Sequence, residues 1–174
     1  MNKAVFLDRD GVINEVLSKR VKFVNTHKDF YLLPGVGEAI RQINQMDYLV
    51  FVVTNQGGIG KGYMTENDLR EIHEKMHNDV SSYGATIDGV TFCPHAPEAG
   101  CSCRKPHPKM IIQLAQKHSI DLSESYMVGD RKADILAGEY AGTKTVLVGN
   151  RKENVKADVM YKDLLEFSNW LKKQ

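Results

Sequence analysis

The run Tyr48-Leu49-Val50-Phe51-Val52-Val53 contains no charged residue and no polar/apolar alternation. A strand with one wet face alternates, whereas one that stays apolar throughout must be covered on both faces. That is the situation of a parallel strand between two layers of helix. The rest of the chain repeats the same grammar. Lys3 to Leu7 reads as a first strand, and Gly37 to Met46 places Ala39, Ile40, Ile43 and Met46 at helical spacing. Thr65 to Tyr83 opens on a helix start signal and carries Leu69, Ile72 and Met76 on one stripe. A short strand, Gly89 to Cys93, precedes a helix over Pro108–His118. Tyr126 to Val128, a helix from Lys132 to Tyr140, strands at Thr143–Val148 and Asp158–Tyr161, and a closing helix over Asp163–Lys172 complete the series. Strand–helix alternation of this kind predicts an α/β fold, a doubly wound parallel sheet with helices on both faces. A chain of 174 residues fits one such domain spanning 1–174.

The chemistry concentrates where the predicted strands end. Ala4-Val5-Phe6-Leu7 stops at Asp8-Arg9-Asp10-Gly11. Acids at i and i+2 on a strand lie on the same side and repel each other, an arrangement tolerated where a cation or a phosphate site requires it. Thr54-Asn55-Gln56-Gly57-Gly58 follows the most apolar strand, and Arg104-Lys105-Pro106 follows a cysteine-rich loop. Gly129-Asp130-Arg131, with Asp134 four residues after Asp130, follows the strand at 126. Taken singly, each is an ordinary turn or solvated loop. In order, at four strand ends that one sheet would gather at a single edge, they supply a nucleophile, hydroxyl and amide donors, fixed cations and carboxylates for a metal. That is an inventory for attack on a phosphate ester.

In this order the motifs resemble those of the haloacid dehalogenase-like phosphatases, over roughly residues 3 to 148. Asp8-Arg9-Asp10-Gly11-Val12-Ile13-Asn14, with Cys-Pro-His and Cys-x-Cys-Arg-Lys-Pro, is similar to the branch holding D-glycero-D-manno-heptose 1,7-bisphosphate phosphatases and histidinol-phosphate phosphatases. The resemblance implies that Asp8 is the nucleophile, Asp10 the acid–base, and Thr54 and Lys105 the groups that stabilise phosphoryl charge. It implies a catalytic Mg2+ held by Asp8, Asp10 (through its backbone carbonyl) and Asp130, with Asp134 supporting Lys105 or a metal-bound water. Asn55, Gln56, Gly57, Arg104 and Arg131 are then candidates for contacting a small phosphorylated substrate. Thr54 to Gly62 looks closer to the heptose enzymes, although Gly57 stands where they tend to carry serine and the 15–33 segment lacks their Gly-Tyr-Val pattern. Only 43 residues, Gly11 to Val53, separate the first two motifs, too few for a cap domain beside the predicted helix and strand.

All three cysteines fall in one loop, Cys93-x-His95-x5-Cys101-x-Cys103. Three thiolates and an imidazole make a closed tetrahedral set for structural Zn2+, placed to stiffen the loop that delivers Arg104 and Lys105. His73 and His77, spaced i,i+4 without a third ligand, read as a solvated helix face; His107 reads as a site-lining residue, and His27 and His118 as surface residues.

A net charge of +1 argues against a dedicated nucleic-acid surface. No apolar stretch reaches the roughly 20 residues that a membrane helix needs, and the N-terminus enters a strand without a signal-peptide pattern. The expectation is a cytoplasmic monomer. Two readings from other classes use the same residues: a phospho-accepting receiver, whose acceptor should end an interior strand after an earlier acidic pair, and a zinc-loop interaction module with merely structural acids.

Overall fold

The computed structural model describes residues 1–174. Six parallel strands form one sheet in the order β3-β2-β1-β4-β5-β6. In chain order the elements are β1 (Lys3–Leu7), α1 (Val36–Gln45), β2 (Tyr48–Asn55), α2 (Glu66–Ser81), β3 (Gly89–Cys93), α3 (Lys109–His118), β4 (Tyr126–Gly129), α4 (Lys132–Ala141), β5 (Lys144–Val148), β6 (Val159–Tyr161) and α5 (Leu164–Leu171). Each expected strand and helix is present, with ends shifted by at most two residues. The shifts have local causes. Thr65 is the N-cap of α2, its hydroxyl accepting from Asp68 N at 3.0 Å while Asp68 Oδ2 accepts from Thr65 N at 2.9 Å, so the helix proper starts one residue later. Pro108 likewise caps α3 from outside.

The apolar strands bury both faces, as their unbroken patterns require. Val5, Leu7, Val50, Val52 and Val128 pack on one side with Ile40 and Ile43 of α1, Leu69, Ile72 and Met76 of α2, and Phe167 of α5. Ala4, Phe6, Phe51, Val53 and Met127 pack on the other with Met110, Ile111 and Leu114 of α3 and Ala137 of α4. No helix is long and apolar enough to cross a membrane.

Strand order is what positions the site. The chain runs outward from β1 through β2 to β3, then returns to place β4 on the other side of β1. The switch point therefore lies between β1 and β4, and loops leaving the carboxyl ends of these two strands diverge to open a crevice. Leu7 pairs with Val128 and with Val52, so Asp8, Thr54 and Asp130 emerge at one sheet edge. The 8–35 connection holds no helix beyond the short turn His27–Asp29, in keeping with the capless expectation. It is tied down by Glu15 N to Tyr31 O and Leu33 N to Ile13 O, both 2.9 Å.

Candidate active site

Lys105 is the centre of the site. Its ammonium donates to Asp8 Oδ1 at 2.8 Å, to Asp134 Oδ1 at 2.6 Å and to the Val53 carbonyl at 2.8 Å, and it is 4% exposed. Three donors meet three acceptors, so nothing on the ammonium is left unpaired. The two carboxylates hold Lys105 charged, well above the ordinary lysine range, against the opposing effect of burial. Asn55 fixes the backbone beneath it, its Oδ1 accepting from Lys105 N at 2.9 Å and its Nδ2 donating to Lys105 O at 3.2 Å. Asp134 also helps start α4, because its Oδ2 accepts from Arg131 N at 3.1 Å.

Asp8 and Asp130 pay for this proximity. Burial, followed by the charge of Asp134, pushes the Asp8 carboxyl well above its ordinary value despite Lys105. The same two causes, in the same order, push Asp130 up to about 6. Gly11, at φ +85°, is where the chain passes under Asp130; a β-carbon there would fall on that carboxylate.

Asp10 sits in a different environment. Its Oδ1 accepts from Arg9 Nη2 at 2.8 Å and from Asn14 Nδ2 at 3.0 Å, and its Oδ2 from Gln56 Nε2 at 3.3 Å. Burial opposes ionisation, but the Arg9 guanidinium and these hydrogen bonds outweigh it and lower the Asp10 pKa. Two acids two residues apart are thus pushed in opposite directions, which is how one site assigns different proton roles to like groups.

Thr54 is buried, its hydroxyl accepting from Gln56 Nε2 at 2.8 Å. A cavity of about 340 Å³ is lined by Asp8, Asp10, Asn55, Arg104, Lys105, Asp130 and Arg131, together with the apolar Val16, Leu17 and Phe23. A second, of about 350 Å³, shares Asp10, Val16, Phe23 and Asn55 and continues past Gln56 and Gly57 to Lys61 and Tyr63. Arg104 donates to His95 O at 3.3 Å. A β-carbon on Gly57 would lie 3.1 Å from Arg104 Nη1 and 3.2 Å from that same carbonyl. Glycine at 57 therefore allows the cysteine loop and Arg104 to close onto the turn.

Cys93, His95, Cys101 and Cys103 converge so that their donor atoms all lie within 4.8 Å of one another. Cys93 Sγ is 3.4 Å from His95 Nδ1 and 3.6 Å from Cys101 Sγ, and His95 Nδ1 is 3.3 Å from Cys103 Sγ. The edges of a tetrahedral zinc site with these ligands are about 3.5–3.8 Å. The Cys93 and Cys103 sulfurs are in direct contact. A disulfide between those two would leave Cys101 and His95 without a role.

A family model for HAD-hydrolase-like proteins matches residues 102–164. A D-glycero-beta-D-manno-heptose-1,7-bisphosphate 7-phosphatase of Helicobacter pylori strain J99 is 37% identical over 174 residues, covering 98% of each chain. The chain belongs to the HAD-like phosphatase family. A Haemophilus ducreyi member bearing the same enzyme name is 40% identical over 177 residues, covering 94% of this chain and 95% of its own. A crystal structure titled D,D-heptose 1.7-bisphosphate phosphatase from B. bronchiseptica, complexed with magnesium and phosphate, superposes with a TM-score of 0.88 at 33% identity over 98% of each chain.

Within this family member, the donor set at the switch point fits a hard divalent cation. The Asp8, Asp130 and Asp134 carboxylates lie within 4.8 Å of one another, and Asp130 Oδ1 is buried with no hydrogen-bond partner. A buried orphan oxygen on an acid needs either a proton or a cation. Some expectations change. Asn55 lines both cavities and Gln56 the second, and their amides also hold Lys105, Asp10 and Thr54. His73 is not on a solvated face: it is 9% exposed, because α2 turns Leu69, Ile72, His73 and Met76 together toward the sheet. His118 is half-buried, its ring 4.8 Å from Phe51, while His107 is exposed and lines neither cavity. Arg9 and Asn14 join the site without having been candidates for it. Their signal in the sequence is membership of the Asp8-to-Asn14 run that carries the family resemblance, which assigns neither of them a contact.

Proposed function

We propose that this chain is a magnesium-dependent phosphomonoesterase that removes the 7-phosphate of D-glycero-D-manno-heptose 1,7-bisphosphate. The observation that carries the reading is Asp8 at the switch point, lining the cavity and held by Lys105, in a chain aligned end to end with heptose 7-phosphatases. Asp8 attacks phosphorus in line, the ester P–O bond breaks, and the departing alkoxide takes a proton from Asp10. Water, deprotonated by Asp10, then attacks phosphorus and breaks the aspartyl-phosphate bond, which regenerates Asp8 and releases phosphate. Asp10 rests as a carboxylate, suited to the second step; a phosphate dianion beside it raises its pKa and favours the proton it needs for the first.

Thr54 and Lys105 stabilise charge on the transferring group. Arg104 and Arg131 contact the remainder of the substrate, and Gly57 gives the cysteine loop its close approach. Asp8, Asp130 and the Asp10 backbone carbonyl would hold Mg2+, which when bound neutralises charge on the phosphoryl oxygens. Phosphate release should require magnesium and should favour heptose 1,7-bisphosphate over histidinol phosphate. Preference for histidinol phosphate would overturn the substrate assignment, and no release from either would overturn the reaction.

Cys93, His95, Cys101 and Cys103 bind a structural zinc that holds Arg104 and Lys105 in place. Metal analysis of protein prepared without chelator should find about one zinc per chain, with all cysteines titrating as thiols after denaturation. Metal-free protein with a single free thiol would overturn the zinc assignment.

A further inference from the structure

Arg9 is the largest fully buried side chain in the molecule, and no part of it reaches solvent. Its guanidinium approaches Asp10 Oδ1 through Nη2 at 2.8 Å and through Nε at 3.3 Å. Its remaining terminal nitrogen, Nη1, lies 3.2 Å from Nε2 of His73. A guanidinium only donates, so His73 Nε2 must be the acceptor and the ring proton must sit on Nδ1. Burial and the adjacent Arg9 charge keep the ring neutral, holding its pKa down to about 3, with His77 acting in the same sense and Asp10 opposing. The imidazole is packed from the sheet side as well, its centroid 6.4 Å from that of Phe92 on β3.

From this geometry we propose that His73 is a positioning residue for phosphate release: its Nε2 lone pair anchors the far end of the Arg9 guanidinium, whose near end holds the Asp10 carboxylate in place. The inference rests on the reading of Asp10 as the acid–base group. Asn14 and Gln56 restrain Asp10 from loops, but His73 ties it to the middle of a helix anchored in the core. An arginine bonded at one end alone can swing about its side-chain torsions; bonded at both ends it cannot. Without the His73 acceptor, Nη1 becomes a buried donor with no partner, and the guanidinium gains by turning away from Asp10 to find one.

The test compares His73→Phe, which keeps an aromatic ring against Phe92 without an acceptor, with His73→Gln, whose amide oxygen restores one. In full-length protein, the Arg9 guanidinium N–H resonances should be sharp in wild type, broaden in His73→Phe and recover in His73→Gln. With heptose 1,7-bisphosphate and saturating magnesium, kcat of His73→Phe should fall about tenfold or more while KM stays within about twofold, and His73→Gln should regain most of the loss. Thermal unfolding identifies any variant that fails to fold, and if His73→Phe does, His73→Leu replaces it as the variant without an acceptor. Unchanged kcat in folded His73→Phe, or equal losses in both variants, would overturn the inference and leave the phosphatase reading standing. A wild-type protein that releases no phosphate would overturn both.

Discussion

Asp8→Asn should abolish turnover and leave the fold as stable as before, or more so. The activity loss is expected to be at least about 10⁴-fold, because the amide cannot form the phosphoenzyme and the remaining groups only assist that step. Stability should move the other way. The folded-state pKa of Asp8 is raised, chiefly by burial and then by Asp134, which together outweigh the attraction of Lys105. An acid raised in this way contributes stability below its unfolded pKa and loses it as pH rises through the folded value. At neutral pH and without magnesium, the ionised carboxylate is therefore a cost that asparagine removes, while the asparagine oxygen still accepts from Lys105. Urea denaturation in magnesium-free buffer should give a midpoint at or above wild type near pH 7.5, with the advantage shrinking toward pH 4. Retained turnover would remove Asp8 as nucleophile; a large drop in midpoint would mean that the anion is needed structurally.

Lys105→Met should be the most destabilising single change at the site. The methionine fills much of the volume but leaves Asp8, Asp134 and the Val53 carbonyl without the donor that joins them. Breaking a buried charge cluster from one side costs about 3–5 kcal/mol, because the partners keep their desolvation penalty and lose their compensation. The cost should shrink on acidification, as Asp8, already raised by burial and by Asp134, takes up a proton and the repulsion disappears. Activity should fall about 10²-fold or more through loss of the cation beside the phosphoryl group. Urea denaturation at pH 7.5 and pH 5 checks the first two statements, and phosphate release checks the third. A variant with wild-type stability at neutral pH would show that Lys105 does not neutralise this cluster.

Much of this site is readable along the chain because its parts are local. Asp8, Thr54, Lys105 and Asp130 each follow an apolar run or a marked loop, and it is their recurrence at successive strand ends, not any one of them, that points to a site. The cysteine loop is legible for the same reason, since its four donors fall within eleven residues. His73 is not legible. A histidine pair at i,i+4 on an amphipathic helix reads the same whether it faces water or the sheet, and only the seating of α2 buries one member. The contacts of the Asn55 and Gln56 amides are not legible, because which neighbouring side chain an amide meets depends on what the other loops bring.

The strands, the helices and the groups at the strand ends follow from short stretches of chain, since hydrophobic period, capping residues and turn chemistry act over a few residues. Which of those ends meet depends on the order of the strands in the sheet. Parallel strands are joined by crossovers, so nothing in the local sequence of β1 states that its neighbours are β2 and β4. That order creates the crevice, sets Lys105 between acids 97 and 29 residues away in the chain, and buries Asp8 and Asp130 beside Asp134, which raises both, while Asp10, held by its neighbour Arg9 and by Asn14 and Gln56, is lowered. Burial and charge proximity are properties of the assembled sheet, and they are what turn a row of acids into groups with different proton affinities.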